Sequence, residues 1–136
     1  MKTGLRLGLV VEHRATVKPW MKPHLEGLVR HPLYSTWAMV YHMEVTARKL
    51  LAPYLEPHEE AVGAQVLVKH LRPAAVGSIV HIVGTVVRIK GPSVYSRLEV
   101  FTKNRKIGEG SHQQVVMTRD RFARLIQEAR GRGATN

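Results

Sequence analysis

A chain of 136 residues, 44% of them hydrophobic, is long enough for one packed domain and too apolar for disorder, and its lack of cysteine excludes disulfides, thiolate metal sites and a cysteine nucleophile. The formal charge of +11 leaves two readings, a solvated basic surface or a binder of polyanions such as nucleic acid, acidic membranes or phosphorylated small molecules. Arg6 and Glu12 break the short apolar start and no run approaches the ~18 apolar residues of a membrane span, so a cytoplasmic chain without a signal peptide is expected.

Moderate alternation over residues 9–17 predicts a first strand. Residues 18–33 carry Pro19, Pro23, Gly27 and Pro32 and are expected to be irregular, forming a lid or arm. The stretch YSTWAMVYHMEVTARKLLAPYLEP, residues 34–57, predicts one long helix. Ser35 and Thr36 both suit its N-cap, Arg48 and Lys49 suit the negative end of its dipole, and Pro53 marks its far end. Beyond Pro57 the period changes to two, with many β-branched residues, and predicts strands over 62–71, 78–90, 94–102 and 106–118. The connections RPAAVG, KGPS and KNRK are short and polar, as consecutive antiparallel strands require. Thr118 or Asp120 can cap a last amphipathic helix with Phe122, Leu125, Ile126 and Ala129 on one face, and residues 131–136 are expected to fray. The whole reads as a single α+β domain over 1–136, a long helix against a curved antiparallel sheet.

Glu44 lies in the middle of the predicted helix, among Val40, Tyr41, Met43 and Ala47. A carboxylate on an apolar helix is costly unless it is paired or used. Arg48, one turn on, offers an ion pair in the favourable order, and that structural reading competes with a chemical one. His70, in VLVKHLRPAAVG, alternates onto the same strand face as Val66 and Val68. A lone strand histidine is more often a satisfied core or edge residue than a catalyst, and the same applies to His112 in GEGSHQQVV. The glycines before His112 mark a bulge or a close backbone approach, not a dinucleotide fingerprint. His42 and Glu44 point to different sides of a helix, and His58, Glu59 and Glu60 sit in a turn without HExxH spacing, so no metal is expected.

The stretch EVTARKLLAPYLEPHEEAVGAQVLVKHLRPAAVGS resembles the central part of the hot-dog-fold acyl-CoA thioesterases related to fluoroacetyl-CoA thioesterase. The resemblance spans nearly the whole chain, and its most specific portion is the helix glutamate, then APYLEP, then V-x-V-x-H. It implies a hot-dog fold and a Thr, a Glu and a His acting together on an acyl-CoA thioester, which fall on Thr36, Glu44 and His70. Gly63 matches the small residue that opens the strand beside the bound thioester. The segment HLEGLVRHPLYST lacks the phenylalanines of the family's lid, since Gly27, Arg30 and Pro32 cannot form that aromatic gate. The resemblance therefore implies thioester hydrolysis without a fluorine-selective gate.

Eight residues of helix advance ~12 Å, so Thr36 and Glu44 cannot meet along one straight helix. They share a site only if Thr36 folds back or comes from another subunit, and the resemblance implies a homodimer, with higher oligomers left open. The expected activity is hydrolysis of acyl-CoA to a free acid and coenzyme A. Glu44 would be general base or nucleophile, His70 would orient it or move a proton, and Thr36 would position water or substrate. No cofactor is expected beyond the coenzyme A of the substrate. Its phosphates would draw on the basic excess, with Lys69 and Arg72 as the candidate binding residues and Arg88, Lys90, Arg97 and Lys103 nearby in sequence. Alternatives are a hydratase on the same fold and an acyl-CoA-binding protein without catalysis. A nucleic-acid-binding module is disfavoured by 6% aromatic residues and by the absence of a recognition motif.

Overall fold

The computed structural model describes residues 1–135. Five strands form one antiparallel sheet in the order β1-β3-β4-β5-β2, from β1 (Val10–Thr16), β2 (Glu59–His70), β3 (Ile79–Lys90), β4 (Ser93–Thr102) and β5 (Arg105–Thr118). Helix α1 (Thr36–Leu51) contacts all five strands, and α2 (Arg119–Thr135) follows β5. This is the helix-on-curved-sheet arrangement the sequence predicts. The expectation of a fraying tail reaches Asn136, which lies outside the described residues, while the backbone of α2 continues to Thr135.

The helix is shorter than the stretch 34–57. Ser35 is its N-cap, the hydroxyl accepting from the Ala38 N–H at 3.1 Å, and Thr36 is the first helical residue and not the cap. At the far end Pro53 cannot supply an N–H to continue the ladder, and Ala52–Tyr54 tighten into a 3-10 turn. Ala38, Met39, Met43, Ala47, Leu50 and Leu51 pack on the inward row of the sheet, which includes Val80, Ile82, Val86, Leu98 and Val100. Each of the larger side chains contributes about 1.5–3 kcal/mol on burial, so this seam fixes α1 along the sheet.

The proline-rich segment is largely irregular, with 3-10 turns at Pro19–Met21 and Leu25–Gly27. Its ends are pinned near the start of α1. Ser35 N–H donates to Met21 O at 2.9 Å, and Tyr34 N–H donates to Ala74 O at 2.8 Å. No helix among the described residues is long and apolar enough to cross a membrane.

Candidate active site

Thr36, freed from capping duty, places Oγ1 3.0 Å from Nδ1 of His70 at the end of β2. The two line a cavity of about 490 Å3 with Tyr34, Trp37 and Arg72, roofed by Pro23, Leu25 and Val29 of the lid segment. Burial pushes the His70 imidazole below its usual value, with a backbone contact at Arg72 working the other way. A neutral ring at pH 7 follows, and its Nε2 is buried without a partner. Beneath it, Tyr34 packs edge-on to His70 at 6.1 Å and its hydroxyl meets Nδ1 of buried His42 at 2.6 Å. Burial, with His13 adding to it, takes His42 down to about 4.

The proline-rich segment also supplies rings from a place the sequence did not single out. Trp20 lies 6.2 Å from Trp37, and His24 lies 6.4 Å from Trp37, so an aromatic group borders the Thr36 cavity although residues 27–32 contain no Phe, Tyr or Trp.

Glu44 is elsewhere. Against the expectation of a core-facing carboxylate it is exposed, on the same outward stripe as Trp37 (38% exposed) and Tyr41 (54%). Helical spacing explains the stripe, since positions 37, 41 and 44 share one face while Met39, Met43 and Ala47 take the core. The Glu44–Arg48 ion pair is absent as well. The Arg48 guanidinium turns to Glu60 at 3.3 Å and donates to the Ala61 carbonyl at 2.6 Å. Glu44 lines a second cavity, of about 290 Å3, with Gly63, Ala64, Gln65, Val66 and His112.

Gly63 is the focus of that cavity. A side chain there would place Cβ 3.3 Å from His112 Nε2 and 3.9 Å from Glu44 Oε2. The register of β2 against β5 slips between Gly63 and Gln65. That slip absorbs one residue, so Gly63 and His70, an odd number apart, both face α1. Thus Thr36 and His70 come together, Glu44 and Gly63 come together, and within one chain the two groups stay apart, at opposite ends of the same edge strand.

His112 is the residue that sequence reasoning passed over as a core or edge histidine. Its signal was the strand parity, which sets it beside Gln114 and Val116 on the buried face of β5. Of the two basic candidates, Arg72 adjoins the site and donates to the Lys106 carbonyl at 2.8 Å. It also lines a third cavity, of about 480 Å3, with Lys103 and Arg105. Lys69 alternates to the opposite sheet face, among Arg97, Glu99 and Glu109. Glu59 is held by the N-terminal amine and Glu60 by Arg48 and Arg119. Among the described residues no group of three or more His, Asp or Glu is placed to hold a metal ion.

A family model described as fluoroacetyl-CoA-specific thioesterase matches residues 11–120. The fluoroacetyl-CoA thioesterase of Streptantibioticus cattleyicolor is 26% identical over 134 residues, covering 94% of this chain and 96% of that protein. The crystal structure of a Thermus thermophilus thioesterase superfamily member superposes with a TM-score of 0.93 at 31% identity, covering 98% of this chain and 99% of that one. A mutant of the fluoroacetyl-CoA-specific thioesterase gives 0.85 at 25% identity, with 94% and 99% covered.

Proposed function

The chain belongs to the fluoroacetyl-CoA-specific thioesterase family, and from that premise we propose that this hot-dog-fold thioester hydrolase cleaves acyl-CoA at sites shared between two copies. Each site joins Glu44 and Gly63 of one protomer to the partner subunit's Thr36 and the partner subunit's His70. The observation that carries this is the geometry of β2. It is an edge strand with exposed Val66 and Leu67 near its middle, 37% and 53% exposed. An antiparallel twofold passing at Leu67, with the irregularity at residue 64 taking up one residue, would pair Gly63 with His70 of the partner subunit on the helix-facing side, and would cover the stripe of Trp37 and Tyr41. Two half-sites in one chain would become two whole sites in a dimer.

In such a site Glu44 delivers the attack on the thioester carbonyl, directly or by drawing a proton from water. Among the described residues the carboxylate has no hydrogen bond or ion pair holding it back. The partner's His70, neutral at rest, would take up the proton that the attacking water releases through Glu44 and pass it, as imidazolium, to the departing thiolate, oriented by the hydroxyl of the partner's Thr36. Gly63 leaves room for the carbonyl. The reaction draws on no cofactor beyond the coenzyme A of the substrate. Arg72, Lys103 and Arg105 form the basic cavity beside the Thr36 end, and they, not Lys69, are assigned to the coenzyme phosphates.

Mixing tests the sharing. Thr36→Ala and Glu44→Gln proteins, each inactive or nearly so alone, are unfolded together, refolded and assayed for thiol release. Random pairing into symmetric dimers would restore roughly a quarter of the wild-type rate, because half of the dimers would hold one intact site. No recovery at any mixing ratio would show that Thr36 and Glu44 act within one chain.

A further inference from the structure

We infer that His112 is a second catalytic histidine on the Glu44 side of the site, donating its Nε2–H to the thioester carbonyl oxygen, and that Ser96 is the positioning residue that fixes its tautomer. The inference rests on the thioesterase reading above and goes beyond the Thr36, Glu44 and His70 set.

His112 is 5% exposed and Ser96 is 2% exposed, yet His112 Nδ1 and Ser96 Oγ are both buried without a hydrogen-bond partner. They are not independent orphans. Ser96 on β4 is the register partner of His112 on β5, and both alternate onto the face that meets α1. Opposed residues on neighbouring strands hold their Cβ atoms ~4.5–5.5 Å apart, within reach of a hydroxyl that turns about one bond. A Ser96 O–H donated to Nδ1 would satisfy both groups at once, and a ring that accepts at Nδ1 carries its proton at Nε2.

That proton has a destination. Nε2 lies 3.3 Å from the point where a Gly63 side chain would begin, and Glu44 Oε2 lies 3.9 Å from the same point. A substrate carbonyl reaching Glu44 past Gly63 would meet the Nε2 edge of the ring. Burial holds His112 below its usual pKa, with Arg48 adding to this and Glu44 opposing it, so the ring stays a neutral donor at pH 7. A neutral, pre-placed donor stabilises the oxyanion as it forms without first having to be reorganised. The proton stays on the imidazole throughout, and no bond to His112 is made or broken. His70 cannot fill this place within the same chain, since its Nδ1 is engaged with Thr36 in the other cavity.

The test uses the intact protein and three variants. His112→Asn keeps a polar atom at the Nδ1 end and removes the donor at Nε2, so kcat should fall ~10²–10³-fold with KM nearly unchanged. His112→Gln restores an N–H near Nε2 and should recover at least part of that loss. Ser96→Ala should lower kcat with KM unchanged, and ring-nitrogen NMR should show His112 moving from a single Nε2–H tautomer in the wild type to a mixture. A merely structural serine would leave the tautomer as it was. A folded His112→Asn protein with kcat within twofold of wild type would overturn the donor role. A wild-type ring protonated at Nδ1 would overturn the assignment of Ser96, and this needs no variant to fold. If the wild type releases no thiol from any acyl-CoA, the thioesterase reading fails and the donor role with it, while the tautomer still reports the Ser96 contact separately.

Discussion

Adding one methyl group at Gly63 is a sharp probe of the Glu44 cavity, because the structure separates its effect on folding from its effect on chemistry. An alanine Cβ would meet His112 Nε2 at 3.3 Å, His112 Cε1 at 3.5 Å and Glu44 Oε2 at 3.9 Å. Carbon contacts settle near ~3.5–4.0 Å, so the imidazole edge must retreat by a few tenths of an ångström. Gly63 is not among the glycines with left-handed φ. Loss of glycine's freedom in the unfolded chain stabilises by ~0.4–1 kcal/mol, and an off-rotamer ring costs about 0.5–1.5 kcal/mol. These nearly cancel, so the melting temperature should stay within about 3 °C of wild type. Catalysis has no such compensation. The methyl occupies the space left for the thioester carbonyl and pushes on two groups aimed at it, and a displacement near 1 Å costs ~10²-fold. We expect kcat/KM for acyl-CoA, followed by thiol release, to fall ~10–100-fold. A Gly63→Ala protein within twofold of wild type would refute the placement of the substrate between Gly63, Glu44 and His112.

Glu44→Gln should lower kcat ~10²–10⁴-fold while changing stability by no more than ~0.5 kcal/mol, since this exposed carboxylate makes no contact that folding relies on; a folded variant with near wild-type activity would end its catalytic assignment. Stability should also depend on pH through His42, which is 2% exposed and whose imidazole burial and His13 take from 6.5 to about 4. The unfolded chain takes up the proton first, so the contribution is whole above pH 6.5 and is lost as pH falls towards 4, on the order of 3 kcal/mol at 1.36 kcal/mol per unit. His13, His70 and His112 are lowered in the same direction and steepen the loss, and His42→Gln should flatten it; a melting temperature level from pH 7 to 4.5 would contradict the buried neutral ring. Rising ionic strength should weaken the apparent affinity for acyl-CoA but not for the same acyl group on a short uncharged thiol, if Arg72, Lys103 and Arg105 meet the coenzyme phosphates; equal responses would remove that role.

The strands were legible because each carries its own period-two pattern between short polar turns, and the observed bounds differ from the expected ones by three residues at most, at the start of β2. The pairing of Thr36 with His70 was legible only through resemblance, for nothing in local sequence says that the end of β2 returns to the start of α1. Glu44 was misplaced for a physical reason. Trp37 and Tyr41 are large apolar residues, and a helix bearing them beside Met39 and Met43 reads as apolar all round, so the stripe that one chain leaves uncovered is invisible. Arg48 looked to Glu44 by helical spacing, while the fold offered it Glu60 and a strand carbonyl, partners that exist only once β2 is in place. His112 could not be told from a packed histidine without knowing that Ser96 stands opposite and that Gly63 leaves the ring edge open.

Gly110 shows how tightly this arrangement is keyed. It lies against the backbone of Leu67 and Val68, and a Cβ there would collide outright with the Leu67 carbonyl. Only a residue with no side chain can stand at that crossing, so of all the ways β2 could slide along β5, the one that seats glycine over Leu67 is selected. A slip of one residue would turn Gly63 and His70 to the outer surface together and dismantle both half-sites without breaking a single strand. The glycine acts as a detent, a notch that locks a sliding part at one setting. The spelling of a catalytic surface thus includes a position that never approaches substrate, at which an alanine would be read as a shift in frame.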